Sequence, residues 1–195
     1  MFEKIIFPGS FKPFTRGHLF VITNALELRL TQNVLVTVAD KPLKNPIFTR
    51  ENAAQLVRFS LSSELINHVS IEISSFETAA RKHNVYTMVR GIRDRYDHDF
   101  EKENARKYFA MAARETSMHV RIFHVIGQPS NERISSAQAC DIICSDSPSL
   151  SDLQRLVCKD VADRLMKARV KVRPVRGDPV SISDFNVALT MVLES

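Results

Sequence analysis

The sequence lacks two features that would assign it to a membrane or to the secretory route. It contains no apolar run near the ~20 residues that a membrane-spanning helix needs. Residues 1–9 have neither the long apolar segment nor the small-residue cleavage site of a signal peptide. We therefore expect a protein that has no membrane partner and that works in the cytoplasm.

Cysteine is scarce as well. Cys140, Cys144 and Cys158 make an odd count and show no C-x-x-C spacing. These features argue against a disulfide framework and against a structural zinc site. Cys140 and Cys144 fall in a helical pattern, so we expect reduced, buried thiols and no metal ligands from the protein.

Tryptophan is absent from the chain, and tyrosine is scarce, with three residues. The net charge is +5, from 27 Lys and Arg against 22 Asp and Glu. Such an excess suits an anionic partner, and phosphate metabolites satisfy it as well as nucleic acid does. No aromatic residues interleave the basic residues near the C-terminus, so we predict no nucleic-acid partner.

Strand and helix patterns alternate along most of the 195 residues. Apolar, β-branched segments predict strands over 2–7, 33–39, 69–74, 85–89 and 119–125. Helical periodicity predicts helices over 17–30, from a cap at Thr49 to about residue 61, and over 76–83, 97–115, 135–144 and 150–167. This alternation is typical of right-handed βαβ units, and it predicts an α/β fold: a Rossmann-like, doubly wound parallel sheet of five strands flanked by helices.

The chain changes character near its C-terminus. Basic residues alternate with Ala and Val over 167–173, which is the pattern of an edge strand with one basic face. Proline and glycine break the chain over 174–179, before a last short helix near 182–193. We therefore divide the chain into a domain of residues 1–168 and a short basic extension, residues 169–195, to which we assign no role.

The loop after the first predicted strand, residues 9–18, carries unusual residues. Thr15 and His18 flank Gly17 at the start of a helix, where unpaired N–H groups and the helix dipole attract phosphate. Gly9 would let the backbone approach a ligand closely, and a histidine here can donate to a phosphoryl oxygen without acting as a base. The alternative interpretation is a capped helix with a surface histidine.

Four further segments accompany the T-R-G-H string in a fixed order. They are Lys44–Thr49 (K-N-P-I-F-T), Arg90–Arg93 (R-G-I-R), Asp97–Glu101 (D-H-D-F-E) and Ile134–Ala137 (I-S-S-A). Together they resemble the nucleotidyltransferase superfamily and, within it, the phosphopantetheine adenylyltransferase family. The resemblance covers residues 2 to about 168.

The resemblance implies transfer of AMP from ATP to 4′-phosphopantetheine, which gives dephospho-coenzyme A and pyrophosphate. The attacking phosphate oxygen is already anionic, so the site needs alignment and charge stabilisation rather than a general base. Mg²⁺ would be bound mainly through ATP oxygens. The resemblance also implies a homo-oligomer, a hexamer.

The same resemblance implies the site residues. His18 and Lys44 would act on the transferring α-phosphate, and Ser10, Lys44 and Arg90 would hold the phosphate of the acceptor. The ATP ligands would be Ser10, Phe11, His18, Gly91, Ile92, Arg93, Glu101, Asn131, Glu132, Arg133, Ile134, Ser135, Ser136 and Ala137. Taken singly, each residue has a structural alternative: Lys44 as a solvated loop lysine, Arg90 and Arg93 as partners of Asp94 and Asp97, and Ser135 as a plain helix cap.

Several positions depart from the family pattern. Lys12 stands where the family has an acidic residue, Ser10 replaces a threonine, and Ala137 replaces a serine. The segment 76–90 is a few residues short and lacks an apolar pair. Three alternatives therefore stay open: a related nucleotidyltransferase that acts on nicotinamide mononucleotide, a nucleotide-binding protein weakened in turnover, and a nucleic-acid binder that uses the basic extension.

Overall fold

The computed structural model describes residues 1–39, 47–92, 95–114, 120–127, 134–172 and 181–195. Five strands form one sheet, and every paired neighbour runs parallel. The strands are β1 (Phe2–Gly9), β2 (Thr31–Val38), β3 (Val69–Glu72), β4 (Thr87–Ile92) and β5 (Arg121–Ile126). Their order is β3-β2-β1-β4-β5, which confirms the predicted doubly wound sheet.

Helices connect and flank these strands. They are α1 (Arg16–Glu27), α2 (Arg50–Ser60), α3 (Phe76–His83), α4 (Arg95–Arg114), α5 (Ser136–Cys144), α6 (Leu150–Leu156), α7 (Lys159–Lys171) and α8 (Ile182–Glu194). The predicted cap at Thr49 is confirmed, since its Oγ1 accepts the Asn52 N–H at 3.1 Å. Within the described ranges, no helix combines the length and the apolar character needed to cross a membrane.

Side chains of alternate strand residues build a separate core on each face of the sheet. Ile5 and Val36 pack with α1 and α2 on one face. Ile6, Leu35 and Met88 pack with α3 on the other. Because both faces are covered, the strands have the nearly continuous apolar sequence from which they were predicted.

A third cluster lies among the helices of the C-terminal half. Leu153, Leu165, Phe185 and Leu189 are fully buried there, together with Phe48 from the turn before α2. The last helix, which was predicted near 182–193, is therefore confirmed as α8, and it packs against α7 and α2. The C-terminal segment thus contributes to a shared core.

The predicted edge strand over 167–173 is wrong, because residues up to Lys171 belong to α7. Its buried residues recur at helical spacing, and Arg169 among them is only 7% exposed. The guanidinium of Arg169 donates to the carbonyls of Ile143, Ser145 and Val172 at 3.0, 3.2 and 3.1 Å. It thereby caps the C-terminal ends of α5 and α7.

The division of the chain after residue 168 falls inside α7. The division into a domain and an extension stays a prediction, and no role is assigned to residues 169–195. The single helix predicted over 150–167 is also corrected: α6 ends at Leu156, and α7 begins at Lys159. Arg16 Nε donates to the Gln154 and Val157 carbonyls at 3.1 and 3.2 Å, which stabilises this break.

The three cysteines are free thiols in different surroundings. Cys140 is buried, as predicted, and its Sγ donates to the Lys12 carbonyl at 3.4 Å. Cys144 is exposed, so the prediction of a buried thiol is wrong at that position. The reason is that Cys144 is the last residue of α5 and falls outside the face that packs against α7.

An ion pair at the end of β3 gives the fold a pH dependence. Glu72 accepts hydrogen bonds from His83 and Lys82 at 2.8 and 2.9 Å, and these lower its pKa from 4.5 to about 2. Because the pKa of Glu72 is lower in the folded protein, the ionised carboxylate stabilises the fold at pH values above the ordinary pKa of 4.5. This stabilisation is lost as the pH falls toward about 2.

We therefore expect Glu72→Gln to be destabilised relative to the wild type near neutral pH. The difference in unfolding free energy should shrink on acidification from about pH 5 to about pH 2. Urea titrations at several pH values measure it, and Glu64→Gln at an exposed position is the control. A difference that stayed constant over this range would contradict the assignment.

Candidate active site

The carboxyl ends of β1 and β4 define a crevice in the sheet. The strand order reverses there, because β1 pairs with β2 on one side and with β4 on the other. Ligands of such open sheets bind at this reversal, beyond the carboxyl ends of the strands. Gly9 ends β1, and Arg90, Gly91 and Ile92 end β4, so these residues meet at one edge.

The loop after β1 folds back over its own strand. Phe11 has a left-handed backbone (φ 49°), and its ring is 2% exposed. A Cβ on Gly9 would lie 2.6 Å from the Phe11 ring, so the space beside Gly9 holds that ring. Internal packing therefore requires a glycine at position 9, and the close approach of a ligand to its backbone stays a prediction.

His18 lies in the first turn of α1, and the local structure fixes its ring. Its Nδ1 accepts the backbone N–H of Thr15 at 3.0 Å, the contact that a Glu or Gln makes in a capping box. The rings of Phe11 and Phe14 lie 5.1 and 5.3 Å from the imidazole, centroid to centroid. Because Nδ1 is an acceptor, the neutral ring carries its hydrogen on Nε2, which is a donor.

A second helix begins beside α1. Ser135 caps α5, since its Oγ accepts the Gln138 N–H at 3.2 Å and its own N–H donates to Gln138 Oε1 at 3.1 Å. Ser136 Oγ donates to the Pro13 carbonyl at 2.9 Å, and this bond ties α5 to the loop before α1. A Cβ on Gly17 would lie 3.8 Å from Ile134 Cγ2. Two helix N-termini, each attractive to phosphate, therefore lie next to each other.

Arg90 is held firmly at the end of β4. Its Nε and Nη2 donate to the two carboxylate oxygens of Glu101 at 2.8 and 2.6 Å, and its Nη1 donates to the Pro8 carbonyl. Gly91 follows, and a Cβ there would lie 2.8 Å from Val21 Cγ2 in α1. Helix α1, which carries His18 one turn earlier, is thus pressed against the end of β4.

Most of the described site residues converge, as predicted. Ser10, Phe11 and His18 follow β1, Arg90 to Ile92 end β4, and Ile134 to Ala137 begin α5, so all of them lie at the carboxyl edge of the sheet. Lys44, Arg93, Asn131, Glu132 and Arg133 lie outside the described residues, as do Asp94 and the side chain of Asp97. Lys12, the charge reversal of the family pattern, is 8% exposed in the loop that joins β1 to α1.

Sequence reasoning missed two residues that shape this site. Gln138 closes the cap of α5, and the spacing Ser135-x-x-Gln138 was a signal that could have identified it. The Pro8 carbonyl orients Arg90, and no sequence pattern indicates a single backbone acceptor 82 positions away.

The architecture defines a class: a Rossmann-like α/β protein with helix N-termini suited to phosphates at the strand reversal. The chain belongs to the cytidylyltransferase-like family, whose model matches residues 6–142. Phosphopantetheine adenylyltransferase from Rhizobium rhizogenes is 39% identical over 104 residues, which are 51% of this chain and 61% of that protein. The enzyme of the same name from Haemophilus influenzae is 34% identical over 107 residues, 52% of this chain and 64% of that one. The chain therefore spans less than two thirds of the length of these curated relatives.

Solved structures show the same fold. Plasmodium falciparum nicotinic acid mononucleotide adenylyltransferase, complexed with APC, has a TM-score of 0.60 at 14% identity, and the match covers 84% of this chain and 94% of that one. Thermotoga maritima TmcAL, bound with alpha-thio ATP, has a TM-score of 0.56 at 14% identity, with 87% of this chain and 56% of that one covered. At such identities the likeness concerns the fold.

Proposed function

We propose that the protein transfers the adenylyl group of ATP to 4′-phosphopantetheine, which gives dephospho-coenzyme A and pyrophosphate. The observation that carries the proposal is the meeting of His18 and the α5 N-terminus beside Arg90 at the carboxyl edge of the sheet. The names of the curated relatives support the choice of acceptor.

The chemistry fits a site made of donors. A phosphate oxygen of the acceptor attacks the α-phosphorus of ATP, a new P–O bond forms, and the bond from the α-phosphorus to the bridging oxygen breaks as pyrophosphate leaves. Alignment of the two phosphates can lower the barrier by about 7–11 kcal/mol. A donor aimed at the growing charge adds about 3–4 kcal/mol, and the Nε2 hydrogen of His18 is suited to this role.

The remaining site residues take the roles that the family resemblance implies. Ser10, Lys44 and Arg90 would hold the acceptor phosphate, and Lys44 would share the charge of the α-phosphate with His18. Ser135 and Ser136 would receive the β- and γ-phosphates at the α5 N-terminus. The other ATP ligands that the resemblance implies would surround them, except Glu101, whose two carboxylate oxygens accept from Arg90.

Mg²⁺ completes the proposal as the partner of the triphosphate. The described side chains at this edge are mainly donors, and the two oxygens of the Glu101 carboxylate already accept from Arg90. This set fits a metal that ATP carries in, with water and phosphate oxygens as its ligands. The metal would supply neutralisation of the triphosphate charge.

We also propose that the protein works in the cytoplasm, where ATP is supplied, as a homo-oligomer. The family resemblance implies a hexamer. Light scattering on the purified protein measures the mass of the assembly, and a monomer would contradict this part of the proposal.

An acceptor panel tests the reaction. Pyrophosphate release from ATP and Mg²⁺ should depend on 4′-phosphopantetheine and should be absent with unphosphorylated pantetheine, which lacks the attacking oxygen. Turnover with nicotinamide mononucleotide and none with 4′-phosphopantetheine would show that the mononucleotide is the acceptor. Binding of ATP without turnover on any acceptor would indicate a nucleotide-binding protein instead. Retention of DNA that disappears on deletion of residues 169–195 would favour the nucleic-acid alternative.

A further inference from the structure

Arg90 and Glu101 form a buried ion pair with a fixed geometry. The guanidinium and the carboxylate meet through two parallel hydrogen bonds of 2.8 and 2.6 Å, and their side chains are 13% and 7% exposed. Such a fork fixes the plane of the guanidinium as well as its position. The Pro8 carbonyl holds the group from the side of β1.

The same helix offers a contrast. Glu103 and Arg106 form an exposed pair at 3.2 Å, with side chains 56% and 72% exposed. Exposed ion pairs of this kind contribute little to the stability of the fold, because water and salt screen their charges. Glu101 differs from Glu103 in its burial and in the arginine it binds, since Arg90 lies at the carboxyl end of β4 beside the crevice.

The charges argue against direct contact between Glu101 and the triphosphate. A carboxylate has no hydrogen to donate to phosphate and repels it, and both oxygens of Glu101 already accept from Arg90. The family resemblance implies Glu101 as an ATP ligand, whereas the geometry directs its action to the arginine. An arginine oriented in advance loses less side-chain entropy when it binds an anion.

We infer that Glu101 is a positioning residue for the acceptor: it holds the Arg90 guanidinium in the plane that receives the acceptor's phosphate. The inference rests on the proposed function. It predicts that a substitution at Glu101 weakens binding of the acceptor and leaves ATP binding intact. A substitution of a residue that binds ATP directly would weaken ATP binding.

The kinetic test varies each substrate in turn. Glu101→Gln should raise the KM for 4′-phosphopantetheine at least about tenfold and leave the KM for ATP within about twofold. Glu103→Gln, at an exposed position two residues further along α4, should change neither constant. An equal or larger rise in the KM for ATP would overturn the inference. Circular dichroism verifies folding, and if Glu101→Gln is unfolded, Glu101→Asp keeps the charge and is measured in the same way.

A spectroscopic test separates this inference from the proposed function. The Nε–H signal of Arg90, assigned by its loss in Arg90→Lys, should shift when inorganic phosphate is added to the wild type and to Glu103→Gln, but not to Glu101→Gln. A wild type without turnover on 4′-phosphopantetheine would remove the proposed function, and the phosphate titration would still decide whether Glu101 orients Arg90. An identical shift in Glu101→Gln would overturn the inference even in an active enzyme.

Discussion

Replacing His18 by alanine should lower kcat by about 10²–10³, while the affinity for ATP changes by less than about threefold. The imidazole is oriented before any substrate arrives, because Nδ1 accepts the Thr15 N–H and aromatic rings confine the plane. The donor at Nε2 gains most when charge grows on the α-phosphate, so its loss acts on the transition state more than on the bound substrate.

The variant His18→Gln separates this effect from a loss of stability. Glutamine at the third helical position can accept the N–H of the capping residue, so the start of α1 stays capped while the imidazole is removed. His68→Ala is the matched control, because His68 precedes β3 and lies at the amino edge of the sheet, opposite the site. Pyrophosphate release gives kcat, and calorimetric titration gives the affinity for ATP. Equal losses in both quantities would remove His18 from the chemistry.

Local chemistry was enough to predict the sheet and most helices. The strands are apolar on both faces, and Thr49 stands before a helical stripe with Ala53 and Leu56, so periodicity and capping agree. The C-terminal error has a different origin. Alternation of basic residues with Ala and Val over a few positions suits a strand and a helix equally well. Two of the three carbonyls that accept from Arg169 lie more than twenty positions away.

At the candidate active site, too, sequence patterns predicted the local structure but not a contact between residues distant in the sequence. The T-R-G-H and I-S-S-A segments were predicted to begin helices at one edge, and they do. Arg90 and Glu101 were both assigned to substrates, and their pairing was not foreseen, because eleven positions separate them in the sequence. The packing of α4 against β4 brings the two charges together, and this tertiary contact is not encoded in a local sequence pattern.

Replacing Phe185 by alanine should lower the free energy of unfolding by about 3–5 kcal/mol. The side chain is fully buried, and its ring lies 5.9 Å from that of Phe48 in an edge-to-face pair. Truncation leaves a cavity between α8 and the turn before α2, and the surrounding helices can fill it only in part. Urea unfolding measures the loss, and Val187→Ala, in the same helix but 57% exposed, should change it by no more than about 0.5 kcal/mol.

Comparing the unfolding of Phe185→Ala with that of Val187→Ala also tests whether α8 supports the start of α2. Asn186 Oδ1 accepts the Thr49 N–H at 3.1 Å, so α8 fixes the start of α2, five positions after Lys44 in the sequence. If Phe185→Ala is destabilised and Val187→Ala is not, α8 is part of the core that holds this end of α2. If both variants unfold like the wild type, α8 is a dispensable addition, and the anchoring of α2 comes from its contacts with α7 and with the sheet.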